Sequence, residues 1–139
     1  MRLDELTTLN ENFEEHISKT KLVWLPKEEK GKDFMLTVGS SECLVLFAME
    51  AWSKYTEYIG SLPHDNQNVR RLGRRVLGNA MQCSVREDGA IVIPEHLHCL
   101  CLAGKENVAV YEMSDYLEKM KPELILGREY AKYVIAVEE

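Results

Sequence analysis

The stretch Met81–Pro94, which reads MQCSVREDGAIVIP, decides the fold of this chain. Apolar and polar residues alternate from 81 to 86, which is typical of a half-buried strand. Asp88-Gly89 predicts a tight turn, because glycine tolerates positive φ and aspartate tolerates tight local geometry. A more buried strand over 90–93 follows and ends at the proline, which has no N–H for a ladder. The stretch therefore predicts a β-hairpin.

The rest of the chain repeats this hairpin once. Placing Pro94 on Pro26 shifts the numbering by 68 and aligns the strands that precede the two prolines. Beyond the prolines the shift becomes 64, which places residues 108–111 on residues 44–47. A long period that occurs only twice indicates a duplicated half-domain rather than an array of small repeats.

The sequence predicts five segments. They are an N-terminal arm (1–12), a first repeat (13–53), a helical linker (54–80), a second repeat (81–120) and a C-terminal tail (121–139). Hairpins are predicted at 13–25, 34–47, 81–93 and 98–111.

Helices are predicted where apolar residues recur every three or four positions, over about 49–62, 69–80 and 114–121. Between 27 and 33 the charged connector has room for one helical turn and no stable helix. The tail is ambiguous, because the apolar residues from 130 to 137 suit a helix and residues 133–137 also suit a strand.

Each pair of hairpins needs a partner, because a lone hairpin is marginal in water. We expect an α+β fold in which the two halves interleave into one pseudo-symmetric β-barrel, each repeat followed by helix, so that the sheet edges are closed.

Composition limits the class of protein. The chain has 139 residues, of which 45% are apolar and 29% charged, as expected for one soluble globular domain. It shows no apolar run of membrane-spanning length and no signal peptide, and its four cysteines suit the reducing cytosol. A net charge of −6 requires that any nucleic-acid binding use a local basic patch.

The order of these motifs resembles the MraZ family of bacterial transcriptional regulators, over about residues 13–120. The residues that carry the resemblance are FMLTVG (34–39), CLVLF (43–47), MEAW (49–52), SLP (61–63), RRLGRRVLGNA (70–80) and DGAIVIP (88–94). The resemblance implies two AbrB/SpoVT-type swapped-hairpin halves and a cytoplasmic, nucleoid-associated protein. It further implies a ring-like homo-oligomer on direct-repeat promoter DNA, without cofactor or enzymatic activity.

The family signature, Asp followed four positions later by Arg in each hairpin turn, is replaced in both copies. Its positions fall on Ser18 and Leu22 in the first copy and on Arg86 and Ala90 in the second. The resemblance places DNA contacts in the first turn, where Lys19 and Lys21 supply the positive charge, and Arg86 lies in the equivalent turn. The alternative is an oligomeric interaction module that has lost DNA binding.

The densest basic patch lies in the linker. Arg70, Arg71, Arg74 and Arg75 share one face of the predicted helix, and would contact either phosphate or acidic groups of the same or a neighbouring subunit. Since the family keeps this helix as a structural linker, the sequence favours pairing with acidic groups.

Two further sets of residues are interpreted as structural. His96, His98, Cys99 and Cys101 resemble metal ligands, but on a predicted strand the histidines and cysteines point to opposite faces. Core cysteines beside edge histidines are therefore the better interpretation, and no metal is expected. Trp52, Tyr55 and Tyr116 have helical spacing and are predicted to pack in the core rather than to stack on bases.

Overall fold

A computed structural model describes residues 22–102, 107–120 and 125–137. The predicted arm and the first hairpin up to residue 21 lie outside these ranges. The described elements are β1 (Leu22–Trp24), a 3-10 turn (Lys27–Glu29), β2 (Asp33–Val38), β3 (Cys43–Ala48), α1 (Met49–Ser61), α2 (Gln67–Leu77), β4 (Met81–Ser84), β5 (Ala90–Val92), α3 (Glu95–Cys101), β6 (Val108–Glu112), α4 (Met113–Met120) and β7 (Tyr133–Val137).

The predicted α+β class is confirmed. The described strands form two antiparallel sheets, a pair β1-β5 and a five-stranded sheet in the order β4-β2-β3-β7-β6. Strands from the two predicted repeats pair with each other, β1 with β5 and β2 with β4. Over the described ranges neither sheet closes on itself, so a barrel is not seen.

The prediction that Met81–Pro94 forms a paired hairpin is wrong. The chain does reverse, since the Arg86 amide donates to the Ala90 carbonyl at 2.9 Å and Gly89 adopts φ 85°. The flanking strands then separate: β4 pairs with β2, and β5 pairs with β1. The backbone of Val85 extends the pairing of β4 with β2, because it forms hydrogen bonds of 2.9 Å with the backbone of Gly31 and Lys32. Pairing with the distant strands β2 and β1 is favoured over local pairing of β4 with β5, because a lone hairpin would leave its apolar faces in water.

The register of β1 against β5 follows the shift of 68 found in the sequence. Val23 faces Ile91, the residue 68 positions later, at the centre of the pairing. On either side of this pair the partners are exchanged. Leu22 faces Val92, the repeat equivalent of Trp24, and Trp24 faces Ala90, the repeat equivalent of Leu22. A local twofold axis through the central pair gives this register.

The predicted hairpin at 98–111 is also wrong in its first strand. Residues 95–101 form helix α3, which begins directly after Pro94 and buries Leu97 and Cys101, four positions apart, on one side. β6 pairs instead with β7 from the tail. The tail is thus a strand, and its run from Tyr133 to Ala136 is buried because β7 lies between β3 and β6.

The five-stranded sheet is the middle layer of the molecule. One side packs against β1, β5 and α3 through Leu36, Leu44 and Ile91. The other packs against α1, α2 and α4 through a cluster that includes Phe47, Tyr55 and Val76. Alternate residues of β3 serve the two sides, as strand geometry requires.

Both strand–helix junctions carry the same aromatic contact. The rings of Phe47 and Trp52 lie 5.2 Å apart where β3 leads into α1. Tyr111 and Tyr116, each 64 positions later, lie 5.4 Å apart where β6 leads into α4. Tyr55 is buried and stacks on Phe47, so the prediction that these helix aromatics pack in the core is confirmed.

None of the helices in the described ranges has the length and apolar character that crossing a bilayer requires.

Candidate nucleic-acid interface

Helix α2 presents a basic surface that is fixed to the sheet from behind. Asn66 caps its first turn by accepting the Asn68 amide at 2.8 Å. Val76 is fully buried near the other end, and its carbonyl accepts a hydrogen bond of 2.6 Å from the buried Thr37 hydroxyl of β2. This bond satisfies one of the carbonyls that a helix end leaves without a partner.

Replacing Thr37 with Val tests this anchor, because the shapes match and only the hydroxyl is lost. We expect Thr37→Val to lower the free energy of unfolding by about 1–2 kcal/mol, since a buried carbonyl loses its donor. Urea denaturation measures the change. Thr56→Val is the matched control: the Thr56 hydroxyl bonds at an exposed site on α1, and its loss should cost less than about 0.5 kcal/mol. Equal losses in the two variants would contradict the anchoring role.

The four arginines of α2 lie on the side that faces solvent. Arg70, Arg71, Arg74 and Arg75 are all exposed, opposite the apolar side that carries Val76. Arg70 Nη1 donates to the His64 carbonyl at 2.9 Å. Across 22–102, 107–120 and 125–137, no carboxylate oxygen lies within 4.0 Å of any of the four guanidinium groups. Contact with phosphate or with a neighbouring subunit stays a prediction.

The turn that carries Arg86 is held by Asp88. Asp88 Oδ1 accepts the Ala90 amide at 3.1 Å, and Asp88 Oδ2 lies 3.1 Å from Arg86 Nη2. The Leu25 amide donates to the Gly89 carbonyl at 2.9 Å, which ties the turn to the end of β1. Both charged side chains are about half exposed, so the ion pair is worth little, about 0–1 kcal/mol, and Arg86 stays within reach of a ligand.

The replaced signature has a structural counterpart in this turn. Ala90, at the signature arginine position, is fully buried, while Arg86, at the signature aspartate position, is exposed. The turn therefore still contains a pair of opposite charges, but arginine precedes aspartate, the reverse of the order in the signature. Lys19 and Lys21 lie outside the described residues, and their role as DNA contacts stays a prediction.

Glu29 joins the connector after β1 to the C-terminal strand. Its carboxylate is fully buried and lies 3.0 Å from Lys32 Nζ and 2.7 Å from Lys132 Nζ. Burial raises the pKa of Glu29, but hydrogen bonds from Lys132, Lys32 and Tyr133 more than offset it and hold the pKa below its usual value. From sequence alone, adjacent acids such as Glu28-Glu29 in a charged connector indicate solvation, and this interpretation is wrong for Glu29.

The histidines and cysteines near 96–101 are arranged by a helix and not by a strand. His98 and Cys101 are buried, whereas His96 and Cys99 are exposed, so the predicted separation into two strand faces is wrong. Cys101 Sγ donates to the Ser40 carbonyl at 3.3 Å, and burial raises its pKa to about 11.

Such a thiol is protonated at neutral pH and is a poor nucleophile or metal ligand. Burial likewise raises the pKa of Cys83 to about 11. Within the described residues, no group of three or more His, Cys, Asp or Glu is placed to hold a metal ion.

The fold and this surface define a class: a small α+β protein that presents an arginine-rich helix. No family model matches the chain. Curated proteins named "Transcriptional regulator MraZ" do match, at 35% identity over 71 residues in Caldanaerobacter subterraneus subsp. tengcongensis and 33% over 84 residues in Carboxydothermus hydrogenoformans. A third, from Clostridium tetani, is 31% identical over 84 residues.

The matched regions cover 51%, 60% and 60% of this chain and 50%, 59% and 59% of the three relatives. The chain thus spans about half to three fifths of the length of the relatives it matches. These matches confirm the resemblance to the MraZ family that the sequence motifs indicate: over the matched regions, the chain is similar to those regulators. The relatives' name denotes a non-enzymatic role.

Proposed function

We propose that this chain is a DNA-binding transcriptional regulator of the MraZ type, which binds direct-repeat promoter DNA as an oligomer through basic hairpin-turn loops. The observation that carries the proposal is its similarity to proteins named transcriptional regulators. A homo-oligomer, in a ring, would place the same turn at regular intervals along the DNA. The regulator would act in the cytoplasm, at the nucleoid.

The proposal includes a fold in which two repeats (13–53 and 81–120) form a pseudo-twofold swapped-hairpin barrel, joined by a helical linker (54–80) and flanked by the arm and the tail. Pairing of β1 with β5 and of β2 with β4 supports it, because each joins strands from different repeats. The reciprocal register about Val23 and Ile91 supports the twofold relation.

DNA contact is proposed for Lys19 and Lys21 of the first turn, with Arg86 in the equivalent second turn. Phosphate contacts by lysine and arginine release counterions, so the logarithm of the binding constant falls by about 0.9 per contact for each tenfold increase in salt. A net charge of −6 makes such local contacts necessary.

Fluorescence anisotropy on direct-repeat DNA across a salt series tests the proposal, with the mass in solution measured on the same samples. We expect salt-dependent binding by an oligomer. Changing Lys19 and Lys21 together to Ala should reduce the steepness of the salt dependence by about 2 per subunit bound to the DNA.

Lys27→Ala with Lys30→Ala is the matched control. Both lysines are exposed in the connector after β1, and the double change removes the same charge. A larger loss of affinity and of salt dependence in the Lys19, Lys21 variant than in the Lys27, Lys30 variant assigns the DNA contacts to the first turn. Equal affinity of the Lys19, Lys21 variant and the wild type would remove the proposed site, and absence of binding by the wild type at low salt would remove the function.

The second candidate is an oligomeric interaction module without DNA binding. The observation that favours it is the turn itself, where the buried position of the signature arginine holds Ala90 and the charge of Arg86 is shared with Asp88. This candidate predicts a stable oligomer and no anisotropy change with promoter DNA at low salt.

A further inference from the structure

Positive charge is concentrated in one part of this acidic chain. Residues 66–86 hold five of the 17 basic residues and none of the 23 acidic ones. The remainder of the chain therefore carries 12 basic residues (17 − 5) against 23 acidic ones. Four of the five arginines lie on α2, so the charge is displayed by a single helix.

The structure gives these arginines a rigid support. Behind them, Val76 is buried in the core cluster that also holds Tyr55 and Ile59 of α1, and Thr37 bonds to its carbonyl. The guanidinium groups project from the opposite side, where all four residues are exposed. Five positions of a helix span about 7.5 Å, which is close to the axial length of two nucleotide steps of one DNA strand.

The chemistry of the patch favours phosphate. All four residues are arginine, whose planar fork bonds two oxygens of a phosphate at once, which a lysine ammonium does not do. Among the described residues no carboxylate within 4.0 Å competes for these donors.

A second copy of the chain is a poorer match for this surface. On α1 its exposed acids alternate with a lysine, in the order Glu50, Lys54 and Glu57, and α4 exposes only two acids, Asp115 and Glu118, directly before Lys119. A helix that alternates in charge attracts four adjacent guanidinium groups less than a continuous row of phosphates does.

We propose that Arg70, Arg71, Arg74 and Arg75 on α2 form a second DNA-binding surface, separate from the hairpin turns, which binds the phosphodiester backbone without reading bases. This inference rests on the proposed DNA-binding function and adds a site to it. A backbone surface of this kind raises affinity for every sequence equally and leaves the preference for the direct repeat to the turns.

The test compares the full chain with a variant in which all four arginines are changed to Gln. Binding is measured by anisotropy with direct-repeat DNA and with a scrambled duplex of equal length, across a salt series. We expect affinity at about 0.1 M salt to fall at least about tenfold on both duplexes. The salt dependence should lessen by about 0.9 for each phosphate that the variant no longer neutralises. The ratio of the two affinities should stay unchanged.

A charge-matched control changes Lys27, Lys30, Lys54 and Lys119 to Gln, four exposed residues spread over other elements. This variant should lose clearly less affinity than the α2 variant. Thermal melting checks that each variant is folded, and conversion of the four arginines to Lys should restore part of the binding because charge returns without the planar fork.

Provided that the wild type binds DNA, three results would overturn the α2 surface. One is unchanged affinity and salt dependence in the Gln variant while the wild type binds DNA, which leaves the turn-based function intact. Another is loss of oligomer mass in the Gln variant, which assigns the arginines to a second copy of the chain. The third is a loss confined to the direct repeat, which assigns them to base recognition. If the wild type binds neither duplex, the proposed function falls and this surface falls with it.

Discussion

Changing Gly127 to Ala is expected to lower the free energy of unfolding by about 3 kcal/mol. Gly127 has φ 75°, where a side chain costs about 1–2 kcal/mol. A Cβ at this position would also lie 2.7 Å from Phe47 Cζ and 2.9 Å from Tyr55 Cε2. Overpacking of this kind typically costs about 1–3 kcal/mol more.

The two rings have little freedom to move away. Phe47 is fully buried and stacks on Tyr55 with a centroid distance of 5.1 Å, and Tyr55 stacks in turn on Tyr130 at 5.2 Å. The carbonyl of Gly127 accepts the amides of Tyr130 and Ala131 at 2.9 Å, so its backbone is fixed as well. The turn therefore holds the chain against the aromatic cluster just before β7.

Gly31→Ala is the matched control, because Gly31 has φ 76° and nothing within 4 Å of the position its Cβ would take. Both variants carry the cost of the backbone conformation, and only Gly127→Ala adds the clash. Urea denaturation should show a loss of about 1–2 kcal/mol for Gly31→Ala and about twice that for Gly127→Ala. Equal losses would mean that the rings adjust freely and would contradict close packing of Phe47 and Tyr55 around Gly127.

Local pattern predicted most of the elements of this fold. The 3.6-residue spacing of 49–62 corresponds to α1 (Met49–Ser61), and the hairpin at 34–47 corresponds to β2 and β3 in direct pairing. These segments could be predicted because their partners lie nearby in the chain. The turn at Asp88-Gly89 was likewise correct, since turn geometry depends on those residues alone.

Partner choice over long distances could not be read from local pattern. The alternation in β4 is the same whether it pairs with β5 or, as found, with β2, about 50 residues earlier. The shift of 64 places residues 99–102 on 35–38 of β2 and so predicts a strand, whereas the four-residue spacing of Leu97 and Cys101 suits a helix. Packing against the sheet decides for the helix. β7 then occupies the place beside β6.

The arginines of α2 were identifiable from their spacing alone, because an exposed basic face needs no partner to be recognised. Glu29 was not, since an acid in a charged connector has the composition of a solvated loop. Its burial depends on Lys132, 103 positions later, and on the placement of β7. A signal was nevertheless present, in the lysine that directly precedes the apolar strand of the tail.

Changing Glu29 to Gln is expected to lower the free energy of unfolding at neutral pH by about 2–3 kcal/mol. The carboxylate is fully buried between two lysines, and removing one member of a buried ion pair costs about 3–5 kcal/mol. The loss expected for Glu29→Gln lies below that general range because both lysines are about half exposed, so water partly satisfies them in the variant. Glu28→Gln is the matched control, since Glu28 is exposed one position earlier, and its effect should stay below about 0.5 kcal/mol.

The pH dependence separates the charge of Glu29 from its shape. Its pKa in the folded protein lies below the usual value of 4.5, so the folded state favours the ionised carboxylate. The stability that results is fully present above the unfolded pKa and is lost as pH falls through the folded one. Urea denaturation at pH 7 and at successively lower pH should therefore show the gap between wild type and Glu29→Gln narrowing below about pH 4.5. A gap that is the same at every pH would show that Gln destabilises the fold through packing, and that the ion pairs of Glu29 with Lys32 and Lys132 do not hold β7 in place.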